Sequence, residues 1–279
     1  MDDPLFRRLA ILGLGLIGGS VALAVRTRGL AREIVSFDPN VQAIADASAA
    51  GIIEQGFSSP ELAVDGADGV ILAAPVRAIL QLLSAIGPML PSGTFVLDLG
   101  STKREIVAAM DQLPSHVSAV SGHPMAGKES SGLGAADPDL FVGAPFALCA
   151  TARTNEVARE RAERVVTELG ACPLWLDAES HDSAVARISH LPYLLSAILV
   201  HAAAPDGVTR RLAATGYRDT SRLALSDPTM MLDILLTNRA PLRDALADAR
   251  AALDRLDTLL SSADEAGLRA WMEEARGKR

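Results

Sequence analysis

Six residues near the amino terminus, Gly13-Leu14-Gly15-Leu16-Ile17-Gly18, constrain the fold more than any other stretch of this chain. They follow an apolar run, Arg8 to Leu12, that reads as a buried strand. They open a helical pattern from Leu16 to Arg28 that Gly29 closes. In a turn of this kind the first glycine permits the tight bend and the second lets a diphosphate approach the backbone. The third lets helix and strand pack closely. The helix N-terminus then presents unpaired N–H groups and a partial positive charge to an anion. Asp38 stands twenty residues beyond Gly18, after a second apolar run, Glu33 to Phe37. A carboxylate there hydrogen-bonds both ribose hydroxyls of NAD and repels the 2′-phosphate of NADP. Pro39 and Asn40 follow it, with no arginine beside it. The constellation predicts an NAD site built from Gly13, Gly15, Leu16, Ile17, Gly18 and Asp38. Ala74, Pro75 and Ser101, at later strand ends, complete it. The other reading of Asp38 is a cap for the following turn.

Strand and helix patterns continue to alternate. Gly69 to Ala74, Thr94 to Leu97, Val117 to Val120, Pro145 to Ala150 and Cys172 to Leu176 read as strands. Val41 to Ala50, Arg77 to Ile86, Thr102 to Met110 and Asn155 to Leu169 read as helices. Such alternation predicts a mostly parallel sheet covered on both faces. After Leu176 the period is helical only. Ala184, Val185, Ile188, Leu191, Leu195, Ile198, Leu199 and Ala202 form one stripe, and Asp227-Pro228 reads as a helix start. The predicted fold is therefore an α/β N-terminal Rossmann-type domain over residues 1–177, followed by an all-α C-terminal domain over residues 178–279. Leu242, Leu246, Ala249, Leu253, Leu256 and Leu260 alternate spacings of four and three, the seam one helix offers another. Packing within one subunit and a dimer interface both explain it.

Composition excludes other classes. With 279 residues, 49% hydrophobic and 22% charged, the chain is a folded globular one. A net charge of −8 provides no basic field for nucleic acid or an anionic membrane. Cys149 and Cys172 match no zinc or redox spacing and suit a reducing cytoplasm. The apolar stretch from Leu9 to Val25 has the composition of a secretory signal, but the glycine turn explains it better. The run from Leu191 to Ala204 contains His201 and is too short to span a bilayer.

Three segments carry chemistry. Asp98-Leu99-Gly100-Ser101-Thr102-Lys103 joins a strand end to a helix start, where ligands bind in open α/β sheets. Ser101 is also a natural helix N-cap. Gly122-His123-Pro124-Met125-Ala126-Gly127 places a histidine on a predicted strand-end loop. A neutral imidazole there can take a proton from a substrate hydroxyl, with Ser101 holding its other ring nitrogen. Ser189-His190-Leu191-Pro192-Tyr193 lies inside a helix that Pro192 should kink near Ile188, with Ser189 and Tyr193 on one face.

With these motifs the whole chain resembles the prephenate and arogenate dehydrogenases of tyrosine biosynthesis. The resemblance rests on Gly13 to Ser20, Gly100 to Lys103, Gly122 to Gly127, Ser189 to Pro192, Tyr217 to Arg222 and Ser226 to Pro228, in that order and spacing. It implies oxidation of a ring hydroxyl by hydride transfer to NAD(P), with loss of carbon dioxide leaving an aromatic product. It implies that His123 deprotonates the hydroxyl, Ser101 orients it and Arg222 pairs with a substrate carboxylate. Ser189, His190 and Tyr193 then face the substrate. The resemblance further implies a homodimer joined through the helical domain, and the cysteine usage makes the expected setting cytoplasmic. One departure stands out: many prephenate-using members have a second histidine where this chain has Tyr193, so arogenate or dual use stays open. No effector module is expected after the helical domain. A β-hydroxyacid dehydrogenase or imine reductase would not need the Gly-His-Pro-Met-Ala-Gly segment. A non-catalytic NAD sensor would keep the glycines and Asp38 without needing His123 or Arg222.

Overall fold

Apolar runs buried on both faces pair side by side into one sheet. The computed structural model describes residues 3–128, 130–203 and 207–278. Its strands are β1 (Phe6–Leu12), β2 (Ala31–Phe37), β3 (Gln55–Phe57), β4 (Gly69–Leu72), β5 (Phe95–Asp98), β6 (Ser118–Pro124), β7 (Pro145–Ala150) and β8 (Cys172–Leu176). Their spatial order is β3-β2-β1-β4-β5-β6-β7-β8. Every neighbouring pair is parallel except β6 and β7. The strand order reverses at β1, between β2 and β4, so a crevice opens beyond the carboxyl ends of β1 and β4. The glycine turn follows β1, and Ala74-Pro75 follows β4.

One core layer lies under the helices Leu16–Arg28 and Glu156–Glu168, with Phe6, Leu9, Ile11 and Phe146. The other lies under Pro60–Val64, Val76–Ile86 and Arg104–Met110, with Leu12, Val70, Leu72 and Val96. The Leu9–Val25 stretch thus forms a central strand and a packed helix of the first domain. The sequence pattern missed β3, which has three residues and too short a period to read. Gly56 within it lies so close to Ile44 that an added Cβ would stand 2.1 Å from Cγ2.

The chain divides into two compact units, but not at residue 177. The first comprises the chain through Ala184 together with Leu225–Thr237; the second comprises Val185–Ala224 and the chain from Asn238 onward. The helix beginning at Ala178 starts in the first unit because His181 and Asp182 hydrogen-bond to His123 and to the Lys103–Arg104 backbone. The helix Pro228–Thr237 joins the first unit through Asp233, which is buried and paired with Arg77, and through Thr237, which bonds Thr102. Its start is as predicted: Pro228 follows Asp227, whose carboxylate accepts from Met230 N–H at 2.8 Å.

Ala178–Ala203 is one 26-residue helix, long and apolar enough to cross a membrane by length and composition, so the expectation of a shorter run is revised. Ala204 lies outside the described residues. The kink expected at Pro192 takes the form of a wide turn over Ala186–His190. Proline has no N–H to give to Ile188, and Leu191 N–H reaches back five residues to Ala186 C=O. In the first unit this helix buries His181 and Asp182; in the second it buries Val185, Ala186, His190 and Ser196, whereas Ile188, Leu195 and Ile198 of the apolar stripe are exposed. In the second unit the helices Arg239–Ser261 and Glu265–Gly277 follow Gly207–Leu212 and Thr215–Ser221. Packing within the chain covers Leu242 of the leucine seam but leaves Leu253 and Leu260 more than half exposed.

Candidate active site

The glycine turn divides its work unequally. Gly13 has φ +105°, and a Cβ on it would lie 2.3 Å from the Ala73 carbonyl oxygen. A Cβ on Gly18 would lie 1.9 Å from the Gly13 carbonyl oxygen. Both are glycine because the protein's own backbone leaves no room. Gly15 is different: its Cβ would meet nothing within 4 Å. The space beside it is free for a group from outside the chain. Gly15 is also the N-cap of Leu16–Arg28, where neither a capping side chain nor a first-turn carboxylate takes up the free N–H groups. Leu16 and Ile17 in that turn are half-buried. These features fit a dinucleotide diphosphate. Gly19 and Ser20, which extend the motif, serve a loop instead. Ser20 Oγ accepts from Asp137 N–H at 2.9 Å, and Gly19 admits Leu133.

Asp38 makes the turn cap that one of its two sequence readings expected. One carboxylate oxygen accepts from Leu14 N–H at 2.6 Å and the other from Asn40 N–H at 2.7 Å. It therefore caps its turn and ties it to the glycine loop. Each oxygen of an ionised carboxylate keeps a further lone pair for a hydroxyl donor.

Beyond β5 lies a buried ion pair. Lys103 Nζ bonds Asp98 Oδ2 and the Gly122 carbonyl, each at 2.5 Å, with both side chains inaccessible to solvent. Asp98 also accepts from Ser121 Oγ and from the Gly100 and Gly122 N–H groups. Gly122 must be glycine: an added Cβ would lie 2.9 Å from both the Asp98 carbonyl oxygen and the Phe146 ring. Cys149 pairs with Ser121 across β6 and β7. Burial pushes its thiol up to about 12, against the charge of Lys103, so it stays protonated and is no nucleophile.

This scaffold positions His123. It lies within β6 in register with Ala147 of β7, not on the loop expected beyond a shorter strand. The antiparallel pairing with β7 extends the strand to Pro124. The ring is half-buried. Its Nδ1 lies 2.9 Å from His181 Nε2, and His181 Nδ1 lies 2.8 Å from Asp182 Oδ1. Asp182 in turn accepts from Lys103 N–H at 2.7 Å and from Arg104 N–H at 3.0 Å.

Two expectations for Ser101 are corrected here. The helix begins at Arg104, and Asp182 supplies the capping acceptor that Ser101 was expected to give. The nitrogen partner of His123 expected to be Ser101 is His181. Ser101 itself is half-buried between β5 and the helix. His181 and Asp182 escaped sequence reasoning. Their one signal is a pair of ionisable residues entering an apolar-patterned helix one turn before Val185.

The remaining predicted residues lie in the second unit. His190 is buried, its Nδ1 3.1 Å from the Asn238 amide nitrogen, which makes the ring an Nε2–H donor. Tyr193 is half-buried, whereas Ser189 in the wide turn and Arg222 at the start of a 3₁₀ turn are exposed, so Ser189 and Tyr193 do not share an environment.

Comparison with known proteins agrees over both halves. Sequence models of the prephenate dehydrogenase nucleotide-binding domain and dimerization domain match residues 21–173 and 177–274. Prephenate dehydrogenase of Bacillus subtilis (strain 168) is 32% identical over 277 residues, 97% of this chain and 75% of that protein. Prephenate dehydrogenase from A. aeolicus, solved in complex with hydroxyphenyl propionate and NAD+, superposes with a TM-score of 0.92 at 29% identity, covering 98% of this chain and 97% of that one. Synechocystis arogenate dehydrogenase superposes with a TM-score of 0.84 at 30% identity, covering 98% of both.

Proposed function

The chain belongs to the prephenate dehydrogenase family, and from that premise we propose that it oxidises prephenate with NAD to 4-hydroxyphenylpyruvate and carbon dioxide, in tyrosine biosynthesis. The observation that carries this reading is His123, half-buried at the carboxyl end of β6 with Nδ1 held by His181. NAD, when bound, supplies the hydride acceptor. Gly13, Gly15, Leu16, Ile17 and Gly18 would form the turn that holds its diphosphate, Asp38 would hold its adenosine ribose, and Ala74, Pro75 and Ser101 would line the strand ends beyond. His123 accepts the ring hydroxyl proton at Nε2 as the hydroxyl carbon is oxidised. It returns that proton to the same oxygen once loss of carbon dioxide has made the ring aromatic. Arg222 offers a guanidinium fork to a substrate carboxylate. His190, Ser189 and Tyr193 supply polar contacts to the substrate. Aromatisation drives the step, so the protein mainly positions and moves one proton.

Tyr193 favours a second reading, in which arogenate is used as well or instead. A tyrosine hydroxyl can hydrogen-bond either an amino or a keto side chain and adds no titrating charge. The exposed apolar residues Ile188, Leu195, Ile198, Leu253 and Leu260 support a homodimer through the dimerization domain. The two free cysteines support a cytoplasmic setting. The test is absorbance at 340 nm with purified protein, NAD or NADP, and prephenate or arogenate. Turnover of prephenate with NAD is expected; bound NAD with no turnover of either substrate would overturn the assignment.

A further inference from the structure

A histidine that must act as a base has to carry its resting proton on the nitrogen away from the substrate. Three buried contacts of the first unit determine which nitrogen that is. Asp182 is fully buried, and both of its side-chain oxygens accept, Oδ1 from Lys103 N–H and Oδ2 from Arg104 N–H, the donor set a carboxylate takes. A carboxylate only accepts, so the 2.8 Å contact from His181 places a proton on His181 Nδ1. A neutral His181 then has a lone pair on Nε2. The 2.9 Å contact to that atom requires a proton on His123 Nδ1. What is left on His123 Nε2 is a lone pair.

We propose that His181 and Asp182 are positioning residues that hold His123 as its Nδ1–H tautomer and keep Nε2 as the base. The inference rests on the proposed role of His123. No proton travels along the chain of contacts. When Nε2 takes the substrate proton, Nδ1–H still donates to His181, and the imidazolium gains the dipole of that ring and the carboxylate behind it. The near-perpendicular rings, at 69° with centroids 5.1 Å apart, let one edge nitrogen point at the other. Fixing the tautomer of a catalytic histidine through a buried carboxylate has the same logic as the aspartate of serine protease triads. Here a second imidazole lies between them.

The first measurement is the ¹⁵N–¹H correlation spectrum of histidine-labelled protein at neutral pH, which needs no substrate. His123→Asn assigns the signals. The expected pattern is His123 and His181 both protonated at Nδ1. His123 protonated at Nε2 in the unsubstituted protein would overturn the proposal even if turnover is normal. His181→Leu removes the acceptor. It should lower kcat about 10²-fold, with the affinity for NAD and the substrate KM little changed. His181→Gln restores an acceptor at the same depth and should recover much of that loss. Unchanged kcat and unchanged His123 signals in His181→Leu would refute the positioning role. If His181→Leu does not fold, the wild-type spectrum and the Gln variant still decide. Failure of wild-type turnover, with the spectrum as expected, would count against the substrate assignment and not against the positioning of His123. Asp182 is the poorer probe, because it also caps the helix Arg104–Met110.

Discussion

Gly15→Ala should separate cofactor binding from folding. Gly15 has φ −71° and ψ −162°, a backbone conformation open to any residue, and the added methyl meets nothing within 4 Å. Without cofactor the change should alter stability by less than about 1 kcal/mol, since a glycine-to-alanine change at an unstrained position is a small effect. With cofactor the methyl occupies the diphosphate's approach. A carbon needs about 3.5–4 Å from its neighbour, whereas an N–H···O bond closes at about 2.9 Å. The phosphate is displaced by about 1 Å, enough to break one charged hydrogen bond worth about 1.5–3 kcal/mol. The dissociation constant for NAD should therefore rise about 10- to 100-fold. Gly13→Ala is the contrast. Its methyl would enter the Ala73 carbonyl at 2.3 Å from a backbone at φ +105°. Overpacking of that kind costs about 1–3 kcal/mol and lowers the melting temperature of a domain this size by about 2–4 °C per kcal/mol. Calorimetric titration with NAD and thermal melts of the apo proteins measure both quantities. The reasoning is refuted if Gly15→Ala melts as low as Gly13→Ala and still binds NAD normally.

Asp38→Asn should narrow the preference for NAD over NADP, read from the two kcat/KM values. It should also lower the melting temperature, because an amide cannot accept from both Leu14 and Asn40. Arg222→Lys keeps the charge but loses the planar fork, so the substrate KM should rise about tenfold while NAD affinity stays fixed. Aromatic-disulfide labelling at pH 8 should modify one thiol quickly, the exposed Cys172, and leave buried Cys149 unreacted until the protein unfolds. Between pH 9.0 and about 12 the Cys149 thiol ionises in the unfolded chain but not in the folded one. Its contribution is intact below that window and is lost as pH rises through it. Cys149→Ala should flatten the alkaline fall in melting temperature.

The first unit was legible because its signals are local. A glycine turn between a strand and a helix, an acid after the second strand and apolar runs of strand length need no distant partner to be recognised. Pro145–Ala150, Cys172–Leu176 and Leu16–Arg28 match the sequence pattern at both ends. His123 was found from its neighbours Gly122 and Pro124, but placed on a loop, because the antiparallel strand that extends β6 pairs from over twenty residues away. His181 and Asp182 were not found at all. Their meaning comes from contacts across 58 and 79 residues, and a polar pair at a helix start looks like solvated surface until its partners are known. The apolar stripe after Ala184 is split in the structure: Val185 is buried, whereas Ile188, Leu195 and Ile198 are exposed, and the wide turn over Ala186–His190 breaks the helical period between them. Periodicity locates a face but does not say whether that face turns toward its own chain.

His123 belongs to a strand paired through Ser121 on one edge and through Pro124 on the other. In such a place chain length is as constrained as residue type. Inserting or deleting one residue between Ser118 and His123 would turn the imidazole to the opposite face of the sheet and strip Lys103 of the Gly122 carbonyl it binds. Related proteins that share this chemistry should therefore vary in length at the connections on the far side of the sheet and after β8. The stretch from Ser118 to Pro124 should keep its count, and any change between Asp98 and Pro124 should fall in the turn before Ser118.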